Sequence, residues 1–215
     1  MTTRTVFWDV DTQVDFMLPS GALHVPGAEL LLPNLGQLTA AARGLGLTIV
    51  HTADDHDLSD PEIAPNGADY VETFPPHCLR GTAGAERVAE TAPRPGAVEV
   101  PWDGTSLDLD AVRSAREVVI HKKRFDVFSN PATPAVLDSL SPTRVVVYGV
   151  ALDVCNRYAV EGMLRRGEFE IIVVEDAVAA IDKDRGEELL RAWRFRGVVT
   201  LPTAAVLATC GAPTA

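Results

Sequence analysis

The sequence predicts a doubly wound α/β domain of three layers, a mostly parallel sheet with helices on both faces. Three observations carry this. Short β-branched runs alternate along the chain with helix-period segments. The strand runs are almost wholly apolar rather than alternating, which indicates strands buried on both faces. Alternation of such runs with helices favours parallel pairing, because each crossover lays a helix on one face of the sheet. With 215 residues, 47% of them hydrophobic, the chain can bury one full core, and a single domain over 1–215 is expected.

The elements follow in order. "TVFWDVD" (5–11) reads as the first strand, and "GAELLLPNLGQLTAAARGLG" as a helix ending at Gly44 or Gly46. "LTIVHTADD" (47–55) is the second strand. The stretch of about 54–107 is proline-rich and has little periodicity. It is too long for a plain connector, so a functional loop region is expected there. "REVVIHK" (116–122) is the next strand, "NPATPAVLDSL" a helix and "TRVVVYGV" (143–150) a strand. "CNRYAVEGMLRRG" is a helix closed by Gly167. "EIIVVEDA" (170–177) and "GVVTLP" (197–202) are strands flanking the helix "DRGEELLRAWRFR".

Composition excludes some functions. A net charge of −11 without a basic stripe argues against nucleic acid and anionic membranes as partners. Cys78, Cys155 and Cys210 are odd in number and far apart, so neither a disulfide framework nor a thiolate zinc site is expected. The N-terminus lacks a signal-peptide pattern and no apolar run reaches the length of a membrane span, so a soluble, reduced, cytoplasmic protein is expected.

In open parallel sheets, ligands bind beyond the carboxyl ends of the strands. Four strand ends here carry reactive residues: Asp11, the Asp54-Asp55-His56 run, Lys122, and the turn leading to Cys155. Cys155 opens a helix, where the N-terminus and a nearby ammonium would lower its pKa. A carboxylate could take the thiol proton, and the amides of "GVALDVC" could form an oxyanion hole. Cys78 and Cys210 read as small buried hydrophobes and Lys123 as a solvated charge. In the loop region, Asp54 and His56 share a face of an extended segment, His77 follows two prolines, and Glu62 adds an oxygen donor. Two histidines with carboxylates suit zinc, iron or manganese, although acidic loops are also commonly just solvated.

"VDTQVDF" (10–16), "PSGALHVPGAE" (19–29), "DDH" (54–56), "DYVETFPPHCLRGTAGAE" (69–86) and "VVYGVALDVC" (146–155) resemble the isochorismatase-like cysteine hydrolases, and among these the metal-containing nicotinamidases. The resemblance implies a Cys155 nucleophile, Asp11 rather than Asp15 as base, and Lys122 as the third member. It implies a cis Val150–Ala151 peptide and an oxyanion hole from the amides of Ala151 and Cys155. Asp54, His56, Glu62 and His77 match the ligands of one divalent transition metal, zinc first, with iron or manganese as alternatives. Phe16 and Phe74 match substrate-stacking aromatics, with Val150 and Val154 also at the substrate. Val14, Leu152 and Val154 replace the Asn, Thr and His usual at their positions, leaving the pocket less polar. The implied activity is hydrolysis of a small heteroaromatic amide through a thioester, by a homo-oligomer. The alternatives are another hydrolase of the family, or a non-catalytic metal- or ligand-binding protein on the same scaffold.

Overall fold

Among the described residues, seven strands form one sheet, parallel throughout: β1 (Thr5–Val10), β2 (Thr48–Asp54), β3 (Val98–Val100), β4 (Glu117–Lys122), β5 (Arg144–Val150), β6 (Glu170–Ala179) and β7 (Val199–Leu201). The computed structural model describes residues 4–167 and 169–211; the ends of the expected domain, 1–3 and 212–215, and residue 168 lie outside the described residues. The strand order is β3-β4-β2-β1-β5-β6-β7. The chain therefore builds outward from β1 on one side, then returns to place β5 on the other. The crevice at this reversal, between the carboxyl ends of β1 and β5, is where such sheets hold ligands.

Helices cover both faces, as the apolar strand runs require. On one face α3 (Leu109–Ser114), α4 (Thr133–Leu140), α5 (Cys155–Arg166) and α6 (Lys183–Phe195) pack over Trp8, Val50, Ile120 and Val147. On the other, α2 (Leu32–Gly44) and α7 (Thr203–Gly211) cover Phe7, Ile49, Val146 and Tyr148. Local chemistry sets the ends. Asp108 and Asp182 cap α3 and α6 by accepting backbone N–H groups of the first turn. Gly167, at φ 68°, closes α5. Gly149, at φ 106°, is demanded by close approach: a Cβ there would stand 2.1 Å from the carbonyl oxygen of Val10 on β1. Among the described residues no helix is long and apolar enough to cross a membrane.

The structure adds elements that periodicity did not reveal: β3, α3, α7 and a single turn, α1 (Val14–Met17). β3 lies between prolines within the loop region and is an edge strand paired only with β4, the position where flanking prolines are tolerated. Strand β1 stops at Val10, so Asp11 is the first residue beyond it rather than its last.

A buried polar network crosses the sheet beneath α2. His51 lies between Asp9 (2.7 Å) and Glu117 (3.3 Å). Arg43 grips both Glu117 oxygens at 3.0 Å, and Arg87 reaches Asp9 at 2.9 Å. Burial alone would push the Glu117 carboxyl up in pKa; bonds from His51, Arg43 and the Arg94 N–H outweigh it and hold the group below the usual carboxylate range. A depressed carboxylate contributes stability that is present above its unfolded pKa and is lost as pH falls toward its folded value. Glu117→Gln should therefore lower unfolding free energy at neutral pH by roughly 1.5–3 kcal/mol. It should also flatten the fall in stability below about pH 4.3, the unfolded glutamate value. Urea unfolding between pH 7 and 3 checks both; an unchanged acid slope would refute the assignment.

Candidate active site and metal centre

The strand ends converge as the alternation of elements predicts. Asp54 and Lys122 are register partners on β2 and β4, and β1 lies next to β2, so three charged side chains meet beyond one edge of the sheet. Lys122 is fully buried. Its Nζ pairs with Asp11 Oδ2 at 2.9 Å, bonds closely to Asp54 Oδ1, and lies 3.8 Å from Cys155 Sγ. Two carboxylates raise the Lys122 pKa well above its ordinary value against the opposing effect of burial. Asp11 sits in the left-handed region (φ 48°), and its Oδ1 accepts from Thr52 Oγ1 at 2.6 Å. Strain of this kind gathers where a side chain must be aimed. Asp15 stands apart: its carboxylate accepts from the Cys78 and Ala22 N–H groups and fixes the loop.

Cys155 opens α5 as expected, but its thiol does not have a lowered pKa. Burial pushes it well up; Lys122 opposes this, while Asp11 and Asp54 add to the rise. Desolvation of a thiolate outweighs one shared ammonium and a helix end. These surroundings favour the thiol over the thiolate, so attack by sulfur would call for a proton acceptor. Asp11 is within reach: one oxygen each of Asp11 and Asp54 and the Cys155 sulfur lie within 4.8 Å of one another. Burial also raises the Asp11 carboxyl above its ordinary value, with Lys122 opposing. The Val150–Ala151 peptide is cis. Among the described residues, the N–H groups of Ala151, Asp153 and Cys155 donate to no backbone carbonyl, whereas those of Leu152, Val154 and Asn156 do.

Beside this group lie Asp54, His56, Glu62 and His77, all buried, each offering a ligand atom within 4.8 Å of the others. The set fits a cation. His56 Nε2 and Glu62 Oε2 are buried with no hydrogen-bond partner. Burial first, and the neighbouring Asp54 second, push the Glu62 carboxyl up to about 8, against the opposing charges of Lys122 and His56. Burial works against ionisation of Asp54 too, yet Lys122 and the histidines hold it well below the carboxylate range. Each histidine has its Nδ1 on an acceptor, His56 on Asp60 (3.2 Å) and His77 on the Pro75 carbonyl (2.7 Å). That leaves the Nε2 lone pairs facing the cluster.

A narrow, chiefly apolar pocket rises from Cys155, and the space it encloses is about 20 Å³. That is room for little more than one water, so a ring enters only as the lining side chains part. Phe16, Phe74, Val154, Ala151, Asp54, Glu62 and His77 line the pocket, with Leu23, Val25, Phe125 and Ile181. Phe16 and Phe74 pack on His77, at ring distances of 5.3 and 6.3 Å. Val150 is not a lining residue: strand alternation turns its side chain into the core with Tyr148. Leu152 also points away and packs in the opposite core, near Gly186. Of the residues flanking the nucleophile, only Val154 makes the pocket wall apolar. A larger cleft lies at the other end of the strands, lined by Arg43, Arg94 and Arg116, and holds no nucleophile.

Lys123 is not a solvated charge. It is mostly buried, holds Asp60 at 2.8 and 3.0 Å and Asp57 at 2.9 Å, and lies over the Trp102 ring. Sequence reasoning also missed Gln13, whose side chain bonds the N–H and carbonyl of Asp54 and the carbonyl of Ala85. Its place in "VDTQVDF", two residues from both Asp11 and Asp15, was the available signal. Asp60, Phe125 and Ile181 had none, since their roles depend on loop packing.

The profile of the isochorismatase domain matches residues 6–107 and 103–205. The chain is similar to the nicotinamidase/pyrazinamidase of Mycobacterium tuberculosis, at 29% identity over 88% of this chain and 94% of that protein. It is similar to a probable inactive nicotinamidase of Arabidopsis thaliana, at 25% identity over 82% and 81%. The crystal structure of Pyrococcus horikoshii pyrazinamidase in complex with zinc superposes with a TM-score of 0.70 at 25% identity, covering 93% of this chain and 99% of that one.

Removing the buried ammonium leaves two buried carboxylates facing each other. Lys122→Met should cost roughly 3–5 kcal/mol of stability, the range for breaking a buried ion pair. It should also slow alkylation of Cys155, because Lys122 is what favours the thiolate there. Urea unfolding checks the first and iodoacetamide labelling the second. The labelling needs a Cys210→Ser background, since Cys210 is only half-buried. Wild-type stability with wild-type labelling would refute both.

Proposed function

The chain belongs to the isochorismatase family, and from that premise we propose that it is a cysteine-dependent amidohydrolase acting on a small heteroaromatic amide. One observation carries the reading. Lys122 Nζ lies between Asp11 (2.9 Å) and Cys155 (3.8 Å) at the base of a narrow apolar pocket that also borders the four-ligand cluster.

The chemistry follows from the burial. Asp11 takes the Cys155 thiol proton as sulfur attacks the amide carbon; Lys122 balances the charge that forms. The Ala151 and Cys155 N–H groups, which have no backbone acceptor among the described residues, donate to the developing oxyanion. Asp11 returns the proton to the amide nitrogen, the C–N bond breaks, and ammonia leaves behind a thioester. Asp11 then takes a proton from water as the water oxygen attacks the thioester carbon. The C–S bond breaks, the acid departs and sulfur regains a proton. Phe16 and Phe74 hold the ring, at about 0.5–1.5 kcal/mol each. Asp54, His56, Glu62 and His77 would hold a divalent transition ion, zinc first, which would bind a ring nitrogen directly or through its water. Val154 and Ile181 make room for an apolar substituent and set the expected substrate apart from the most polar members of this class.

Ammonia release from nicotinamide, benzamide and small aliphatic amides, with and without added zinc, tests the reading. Nicotinamide or a substituted pyridine carboxamide should be cleaved best, and only with metal. Benzamide cleaved equally, with no effect of metal, would remove the ring–metal contact from the account. No ammonia from any amide would refute amide hydrolysis.

Cys155→Ala should fold normally and release less than about a thousandth of the ammonia, given the cost of losing a covalent nucleophile. Cys78→Ala should retain activity. Near-normal turnover by Cys155→Ala would refute the thioester.

The proposed metal should appear as about one ion per chain by elemental analysis after zinc reconstitution. His56→Ala and His77→Ala should each empty the site. Wild-type zinc content in either variant would refute the ligand set.

A further inference from the structure

Asp60 lies on the same loop as His56 and Glu62, four residues after the first and two before the second. Its side chain is nearly buried, and its carboxylate has three partners. One oxygen lies 3.2 Å from His56 Nδ1 and accepts the Asp57 N–H at 3.0 Å. Both oxygens receive Lys123 Nζ, at 2.8 and 3.0 Å. Lys123 is itself fixed by Asp57, at 2.9 Å, and by the Trp102 ring, 5.0 Å from its centroid.

We propose that Asp60 is a positioning residue for His56, locked by Lys123, and that this pair sets how tightly the four-ligand cluster binds a metal. The inference rests on the metal reading above. The physical reason is directional. A carboxylate has no proton to give at neutral pH, so the His56 nitrogen facing it must be the N–H donor. A neutral ring so held carries its proton on Nδ1 and its lone pair on Nε2, which is buried and has no hydrogen-bond partner among the described residues. An imidazole free to turn, or to take the other tautomer, would present N–H to the cluster instead. His77 has the same arrangement, but its acceptor is the backbone carbonyl of Pro75, fixed by the chain. Asp60 is a side chain and needs its own anchor. Lys123 supplies it and offsets the charge of a carboxylate placed close to Asp54 and Glu62. The Ile63 N–H bonds the Asp60 carbonyl at 2.9 Å, so the same anchor also restrains the segment bearing Glu62.

The consecutive lysines at the end of β4 thus divide the work. Lys122 holds Asp54 and Lys123 holds the partner of His56. A retained charge at 123 and a retained carboxylate at 60 are both required, which makes the inference separable from general loop order.

Zinc affinity of the full-length protein, measured by competition with a chromogenic chelator, tests it. Asp60→Asn should bind zinc about 10–100-fold more weakly, the usual cost of removing an outer-shell partner. Lys123→Met should weaken binding in the same direction, and Lys123→Arg should restore it to within about threefold of wild type, since guanidinium can span the same carboxylates. Asp69→Asn is the structural control. Asp69 accepts the Val71, Glu72 and Thr73 N–H groups and so orders the same loop region without bonding Lys123, Asp60 or His56; this variant should stay within about threefold of wild type. Circular dichroism identifies any variant that does not fold. If Asp60→Asn is lost that way, the Lys123→Met and Lys123→Arg pair decides. Wild-type affinity in Asp60→Asn, or in Lys123→Met when Asp60→Asn does not fold, would overturn the inference, as would an equal loss in Asp69→Asn. Failure of the wild-type protein itself to bind zinc would instead overturn the metal reading, and this inference with it.

Discussion

A single buried ammonium organises this molecule. Lys122 is desolvated at the end of β4, where an unpaired charge would be prohibitive. It is tolerated because β2 and β1 bring Asp54 and Asp11 to it from adjacent strands. The arrangement depends on the sheet order β4-β2-β1 and on the register that pairs Asp54 with Lys122. A strand shifted by one residue would turn these side chains to the opposite face. The two carboxylates are then committed to different tasks. Asp11 faces the thiol. Asp54 gives one oxygen to Lys122 and directs the other toward His56 and His77, at 3.8 and 3.7 Å. The Cys155 thiol and the metal-type cluster therefore share one electrostatic element, Lys122 with Asp54.

The same burial decides how the thiol must work. A cysteine at a helix N-terminus beside a lysine suggests a thiolate, but that expectation counts only attractive charge. Here the thiol is enclosed, and the carboxylates that stabilise Lys122 also repel a thiolate. In the proposed mechanism the thiol and the Asp11 carboxyl are a proton-transfer couple whose members would exchange a proton when a substrate arrives, rather than a standing ion pair. The water-poor pocket that makes the thiolate costly also strengthens each contact made to a developing oxyanion.

The loop carrying His56, Glu62, Phe74 and His77 has little regular structure, so its geometry has to be imposed from outside. Gln13 and Asp15 impose it, the first from Asp54 to Ala85 and the second from Ala22 to Cys78. Gly84 lies so close to Asp15 that a Cβ would be 2.2 Å from its carboxylate. The short segment after β1 thus supplies Asp11 to the thiol and, at every second residue, a clamp for the metal loop. On the other side, Asp153 ties the nucleophile turn to the Ile181 and Asp182 N–H groups at the pocket mouth.

The class of fold was legible in the chain, because a strand buried on both faces has to be written in apolar residues and a helix in its 3.6-residue period. The chain likewise dictated that Asp11, Lys122 and Cys155 would share one rim, since parallel strands all deliver their carboxyl ends to the same side. It also marked Asp54, His56, Glu62 and His77 as a group, through residue types suited to metal within one loop region. Tertiary structure alone decided the rest. β3 was illegible because a three-residue edge strand has too few residues to show a period. The state of the Cys155 thiol depended on desolvation, and the facing of Val150, Val154 and Leu152 on how the turn packs between two cores. Lys123 read as a surface charge because nothing in its neighbours along the chain reveals Asp60 and Trp102 folding over it. Local pattern encodes which face of a strand or helix is buried. Charge pairing between distant segments depends on where loops come to rest, and that is fixed only when the whole chain has packed.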